Sequence, residues 1–293
     1  MSNRAGNHVE GIFHMSQGTI TSEEFARLLE SEVLPQTRLF DDLYFFGHAF
    51  VGCLMLTTSE GIIMIDAMCR EEDWNNIILP KMKEEGLAPA DIKILLLTHG
   101  HVDHYGCAKK VREVTGCRVC MSAVDTAFMN DHLLALEGIP TLRQGPGHTP
   151  EVDEFITEGD SIRLGDTTVE VFSTPGHTPG GLSFVFPVHD GGEAHLVGLW
   201  GGTKIPKTRP AAQQYLSSIA HFKRECEKRG VDVSVQAHPF VDFSLQKGLF
   251  HGRLAARQAG EPHPMVMGKE RFQLFLSCIH AAAVGSLETM QTE

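Results

Sequence analysis

The chain has 293 residues, enough to bury one large core or two of ordinary size. With 42% hydrophobic and 21% charged residues it is composed like a soluble globular protein, which sets aside disordered and fibrous classes. The 37 acidic against 25 basic residues give a formal net charge of −12, which argues against a nucleic-acid or anionic-membrane surface and leaves a small-molecule substrate as the expected partner.

The opening stretch MSNRAGNHVEGIFHMSQGTI lacks the apolar run of about 7–15 residues found in secretory signals. No apolar stretch approaches the roughly 18–20 residues of a spanning helix, so a cytoplasmic protein is expected. Residues 1–38 read as a helical extension with one amphipathic helix, SEEFARLLESEVL, ahead of a single domain at 39–293. Strands are expected in LYFF, VGCLMLTT and GIIMIDA, the last two joined by the turn SEG. REEDWNNIILPKMKEEG is predicted helical, with Pro80 kinking or shortening it. DIKILLL is a buried strand, followed by the polar THGHVDHYG, a helix in CAKKVREVTG, a strand in CRVCMS and a helix in AVDTAFMNDHLLALEG. Residues 140–158 form a Pro/Gly/Thr-rich loop, and SIRL and TTVEVFS make a hairpin across Gly165-Asp166.

Further strands are predicted in LSFVF, AHLVGLW and VDVSVQAHP. A helix at 209–229 buries Tyr215, Ile219, Phe222 and Cys226, and another runs from about Lys269 to Val284. Strand-rich blocks alternate with helices twice, so two sheets face to face with helices outside are the natural layering. The seven cysteines are odd in number and scattered; even the close pair Cys117 and Cys120 lies in an apolar strand, so reduced, mostly buried thiols are expected.

Two features carry chemistry. His99-Gly100-His101-Val102-Asp103-His104 puts three imidazoles and a carboxylate within six residues, directly after a buried strand. Imidazole and carboxylate are zinc ligands, whereas structural sites are usually cysteine-rich and closed. Four ligands so close cannot all serve one ion with good geometry, but two ions about 3.5–4 Å apart use them naturally. The second feature is PGHTP, present at 146–150 and again at 175–179, each placing a histidine on a rigid turn. His177 follows one predicted strand and precedes another; His148 has no flanking strand and reads as a cleft wall or plain surface.

The HxHxDH pattern at 99–104 resembles that of the metallo-β-lactamase superfamily, and the resemblance extends over about residues 40–285. It implies an αββα sandwich with a dinuclear zinc site, two zinc ions per chain. It further implies a metal-bridging hydroxide that attacks a carbonyl, with Asp103 orienting it. The family's third histidine for the first metal lies on the loop matching STPGHTPGG, hence His177. Its bridging aspartate has no counterpart in AHLVGLWGGTKIP, and the remaining aspartates in that span, Asp190 and Asp232, are poorly placed.

Glyoxalase II-like thioesterases, acyl-homoserine lactonases and flavodiiron proteins need that aspartate. The branch lacking it resembles the histidine-only, B3-like metallo-β-lactamases, whose late histidine in an HP context matches His238. The implied sets are His99, His101 and His177 for one zinc, and Asp103, His104 and His238 for the other. Cyclic amide hydrolysis is the activity this favours; a lactone or ester hydrolase on the same metals, or an iron-binding redox protein, are the alternatives. Asp66 matches an aspartate that orients the site from behind the ligands. Tyr105 and Lys204 are candidate substrate contacts, Lys204 and Lys207 being able to attract a substrate carboxylate. Gly201 and Gly202 suggest a roomier cleft, and His48 lies on a loop expected to border it.

Overall fold

Strands that read as unbroken apolar runs do so because both of their faces are covered. In the computed structural model, which describes residues 27–290 except 29, 36, 132–146 and 240–248, β1 (Leu43–Gly47), β2 (Gly52–Thr58), β3 (Gly61–Ile65), β4 (Ile92–Leu96), β5 (Arg118–Met121) and β6 (Glu154–Phe155) form one sheet in that order. Pairing is antiparallel from β1 to β3 and parallel from β3 to β6. Along β2 and β3, Leu54, Leu56, Ile63 and Ile65 face the second sheet, while Cys53, Met55, Ile62 and Met64 face outward onto helices.

The second sheet has the order β11-β10-β9-β8-β7, built from β7 (Ser161–Leu164), β8 (Thr167–Ser173), β9 (Leu182–Asp190), β10 (Glu193–Leu199) and β11 (Val233–Ser234). Val169, Val171, Phe184, Phe186, Val197 and Leu199 meet the first sheet in a shared core. Phe172 and Val185 point the other way, onto Ile219, Phe222, Phe272 and Leu276 of the two long helices. Each such buried side chain contributes roughly 1.5–3 kcal/mol. The result is the expected αββα sandwich, with α1 (Leu79–Glu84), α2 (Val102–Tyr105), α3 (Ala108–Thr115) and α4 (Ala123–Asp131) on the side of the first sheet. On the other side lie α5 (Arg209–Arg229) and α7 (Lys269–Thr289), with α6 (Leu249–Ala256) between them in sequence. Among the described residues, no helix is long and apolar enough to cross a membrane.

Several expectations change. Of the helix expected at 22–34, only Arg27 and Leu28 are helical among the described residues. The chain beyond is extended: Val33 bridges His48, the Leu34 N–H donates to the Gly47 carbonyl at 3.0 Å, and the Leu34 side chain enters the inter-sheet core. Extended backbone there satisfies the open edge of β1 and buries Leu34, which a helix would not do. The helix expected over 70–86 begins as a π-turn at Trp74–Ile78 and becomes α-helical only at Leu79, with Pro80 in the first turn of α1. Pro80 has no N–H to return to the preceding turn, which therefore widens. The 140–158 loop contributes β6, while its residues 140–146, like 132–138 of the helix expected after Ala123, lie outside the described residues. The strand expected at 231–239 is regular only at Val233–Ser234, and Val235 to His238 continue as buried irregular backbone.

The topology sets the site. β3, β4 and β5 run parallel, and β8, β10 and β11 share one direction, so the segments leaving their C-terminal ends collect at one edge of the sandwich. Ligands characteristically bind where parallel strands release their loops.

Candidate metal centre

β3 releases Asp66, β4 releases Thr98 and His99, β8 releases the loop bearing His177, and β11 leads to His238. His101 is the N-cap of α2, a single turn that carries Asp103 and His104. The six predicted ligands come together as two groups, His99/His101/His177 and Asp103/His104/His238, and within each group the donor atoms lie within 4.8 Å of one another. His101 Nδ1 is 3.0 Å from His177 Nε2, and His104 Nε2 is 3.1 Å from His238 Nε2. Asp103 Oδ2 lies 3.8 Å from His104 Nε2 and 3.5 Å from His238 Nε2. The rings of His99 and His104, 4.0 Å apart at their centroids, place the groups side by side.

Acceptor-only partners fix which nitrogen of each ring stays free. His177 Nδ1–H donates to the Lys204 carbonyl at 2.7 Å and His238 Nδ1–H to the Phe50 carbonyl at 2.8 Å. His104 Nδ1–H donates to Asp66 Oδ2 at 2.7 Å. The Thr98 hydroxyl gives its one proton to the Asp66 carboxylate, so it accepts from His99 Nδ1–H at 3.0 Å. Four imidazoles are thereby left with an Nε2 lone pair for the site, the arrangement expected of histidine ligands held from behind.

Electrostatics agree. Burial pushes the His99, His177 and His238 pKa values down, His177 to about 4, so these rings are neutral at physiological pH as ligation requires. For His104 burial pulls the same way, but the Asp66 and Asp103 carboxylates outweigh it and raise its pKa. Burial would raise the Asp103 carboxyl; the His104, His238 and His101 rings overcome that and hold it below the usual range. His99 Nε2 is buried without a hydrogen-bond partner, a condition that costs about 1–3 kcal/mol unless something meets it. Three nitrogens in one group and two nitrogens with a carboxylate in the other suit two zinc-type ions.

Other candidates sort differently. Asp66 is fully buried behind the ligands, where its Oδ1 also accepts the Thr98 N–H at 2.9 Å. Tyr105 turns away from a substrate role: it is 3% exposed within the core between the first sheet and its helices, where burial pushes its phenol up to about 12. Lys204 touches the site through its carbonyl, while its half-buried ammonium is pushed down by burial and Lys207 against the pull of Asp103. Lys207 is exposed.

The glycines do not make the cleft roomier. A Cβ on Gly201 would lie 1.7 Å from the Leu182 carbonyl oxygen, and one on Gly202 would lie 2.5 Å from His177 Cβ. His48 is buried, Phe50 packing on both it and His238. His148 sits by Arg70 and Lys109 around a small pocket, outside both ligand groups. Asp190 and Asp232 are engaged with Arg257 and His195, each at 2.7–2.8 Å.

Asp125, on α4, is not among the residues that the sequence patterns single out. It is fully buried and accepts the Gly100 N–H at 2.8 Å and the Gly180 N–H at 2.6 Å. The one signal for it is Ser122-x-x-Asp125, the pattern of a capping box at a helix start.

Residues 49–191 match the metallo-beta-lactamase superfamily. Hydroxyacylglutathione hydrolase GloC of Haemophilus influenzae is 33% identical over 101 residues, 32% of this chain and 44% of its own. The chain spans about half the length of the curated relatives it matches. Among solved structures, BJP-1, a subclass B3 metallo-beta-lactamase of Bradyrhizobium japonicum, superposes with a TM-score of 0.73 at 24% identity, covering 90% of this chain and 97% of that one. The FEZ-1 metallo-beta-lactamase of Legionella gormanii gives 0.70 at 20% identity, covering 88% and 98%. At these identities the likeness is one of fold.

Proposed function

On the premise that the chain carries a metallo-beta-lactamase superfamily domain, we propose that it is a dinuclear zinc hydrolase of cyclic amides, most like a B3-type β-lactamase. The observation that carries this reading is the second ligand group. Among the described residues, it is completed by His238, and Asp103 is the one carboxylate in either group. No side chain fits at Gly201, and one at Gly202 would strike His177, so this strap cannot supply a bridging carboxylate without moving.

Two zinc ions, when bound, would acidify a shared water and polarise the carbonyl under attack. The chain's own part is to hold that arrangement. His99 and His177 present lone pairs fixed from behind, His101 completes their group, Asp103 stays ionised to orient a proton, and Lys204 would attract a substrate carboxylate. The seven free cysteines, six of them buried, support a cytoplasmic location.

Likeness to a hydroxyacylglutathione hydrolase supports a second reading, an ester, thioester or lactone hydrolase on the same metals. Metal analysis with a panel of a chromogenic β-lactam, a lactone and a thioester decides between them. The β-lactamase reading expects two zinc ions per chain and β-lactam turnover. It also expects His177→Ala to lower kcat/KM by more than the roughly 10–100-fold typical of losing a ligand's supporting partner. Turnover confined to the lactone or thioester selects the second reading. Fewer than one metal per chain after loading overturns both, and two irons with oxygen consumption would mark a redox protein instead.

A further inference from the structure

We infer that Asp125 is a positioning residue that locks the two ligand-bearing loops together and so sets the first histidine triad before any ion arrives. Gly100 stands between His99 and His101, and Gly180 lies three residues past His177. The two backbone N–H groups converge on the two oxygens of one buried carboxylate, at 2.8 and 2.6 Å. Neighbouring Ser122 holds the same glycine through its next peptide: its hydroxyl donates to the Gly180 carbonyl at 2.6 Å while accepting the Asp125 N–H at 3.0 Å.

In an ordinary capping box the acidic side chain would reach back to its own helix start. Here the serine half of the box is kept and the carboxylate is diverted to the loops. Both contact points are glycine because nothing larger fits. A Cβ at Gly100 would lie 2.9 Å from the Asp125 carbonyl oxygen, and one at Gly180 would lie 2.7 Å from the Asp125 nitrogen. Through α4, loops that are 76 residues apart at His101 and His177 become one rigid unit. The second group, Asp103/His104/His238, has no bond to Asp125 and draws its support from Asp66 and the Phe50 carbonyl instead.

The inference rests on the proposed function for the identity of the bound ions, but the clamp belongs to the chain itself. The test is Asp125→Asn, measured by amide hydrogen exchange on the metal-free full chain and by cobalt(II) titration followed in visible absorption. The carboxamide keeps one acceptor oxygen and sets an N–H₂ against the other backbone N–H, releasing one loop. Exchange at Gly100 or Gly180 should quicken at least about tenfold, and one of two cobalt sites should weaken about 10–100-fold while the other holds.

Leu276→Ala, in the buried core on α7, a helix that bears no candidate ligand, serves as the control for general destabilisation and should shift both cobalt sites alike. Ser122→Ala, a milder change, should loosen residues 177–180 alone and decides the same point should the Asn variant fail to fold. Unchanged exchange at both amides, or equal weakening of both sites as in Leu276→Ala, overturns the inference. A wild-type chain that takes up no cobalt would sink the dinuclear reading instead, and the metal-free exchange would still decide the clamp.

Discussion

Asp66 adopts φ +59°, a left-handed conformation uncommon for residues other than glycine and best tolerated by Asp and Asn. What holds it there is the set of donors its carboxylate serves: the Thr98 N–H, the Thr98 hydroxyl and His104 Nδ1–H. Because the same hydroxyl accepts from His99, one aspartate sets the free nitrogen in both ligand groups. Asp66→Asn keeps a residue that accepts the backbone angle but loses the charge and one acceptor. Zinc affinity measured by calorimetry should fall by about 10–100-fold at the site containing His104, and less at the one containing His99. Unaltered affinity at both would show that Asp66 only fills space. At this scale the candidate groups were legible in different ways: the spacing of HGHVDH marks four of their members by residue identity, whereas His177 and His238 were singled out through the family resemblance. Their partners were only half legible. Asp66 is a side chain with a name, whereas the Phe50 and Lys204 acceptors are carbonyls that every residue possesses, so nothing in the sequence could mark them.

The strap after β10 shows what an element demands beyond its pattern. Trp200 is buried, its indole N–H donating to the Gly202 carbonyl and lying 3.2 Å from the Tyr215 hydroxyl, which itself donates to Gly202 at 2.7 Å. This latch from α5 presses the strap onto the Leu182 carbonyl at Gly201 and onto His177 at Gly202. Two alanine substitutions should therefore differ in kind. Gly201→Ala meets rigid backbone and should cost at least about 1–3 kcal/mol in chemical denaturation. Gly202→Ala meets a side chain and should chiefly weaken metal binding at the His99/His101/His177 group. Equal, small effects from both would mean the strap yields easily.

Strands and long helices were readable because apolar runs and the Tyr215-Ile219-Phe222-Cys226 stripe report which faces are covered. Close backbone approach is not readable, and Gly201 and Gly202 looked like open space when they are contact points. Tyr105 was ambiguous for a related reason: its position after the motif says nothing of which way a one-turn helix points it. Val235 to His238 lost their expected strand form because placing His238 at the site takes them off the sheet, while burial keeps their apolar pattern.

For the whole molecule, gathering these imidazoles at one sandwich edge has a consequence for stability. An unfolded histidine titrates near about 6.5. In the metal-free fold His48 is pushed down to about 4 by burial, Arg70 and His238, and His177 to about 4 mainly by burial. His99, His238 and His263 are lowered by burial as well, and His104 is raised. Between about pH 6.5 and 4 the unfolded chain therefore binds more protons than the fold, so stability falls as the pH drops through that window. His104 opposes the trend, since its contribution is present below its unfolded pKa and fades as pH rises through its folded one. With several lowered groups against one raised, the metal-free protein should lose thermal stability steadily from about pH 6.5 downward, the His48 and His177 share of that loss being complete by about pH 4. Metal-loaded chain should begin from a higher melting temperature, because an ion binding only the fold stabilises it, and should fall more steeply as protons displace the ion. His48 isolates the protein's own share, since it lies outside both ligand groups. His48→Gln should flatten the pH dependence of the metal-free melting temperature without removing it, whereas a slope identical to wild type would mean that His48 is reached by solvent and titrates normally.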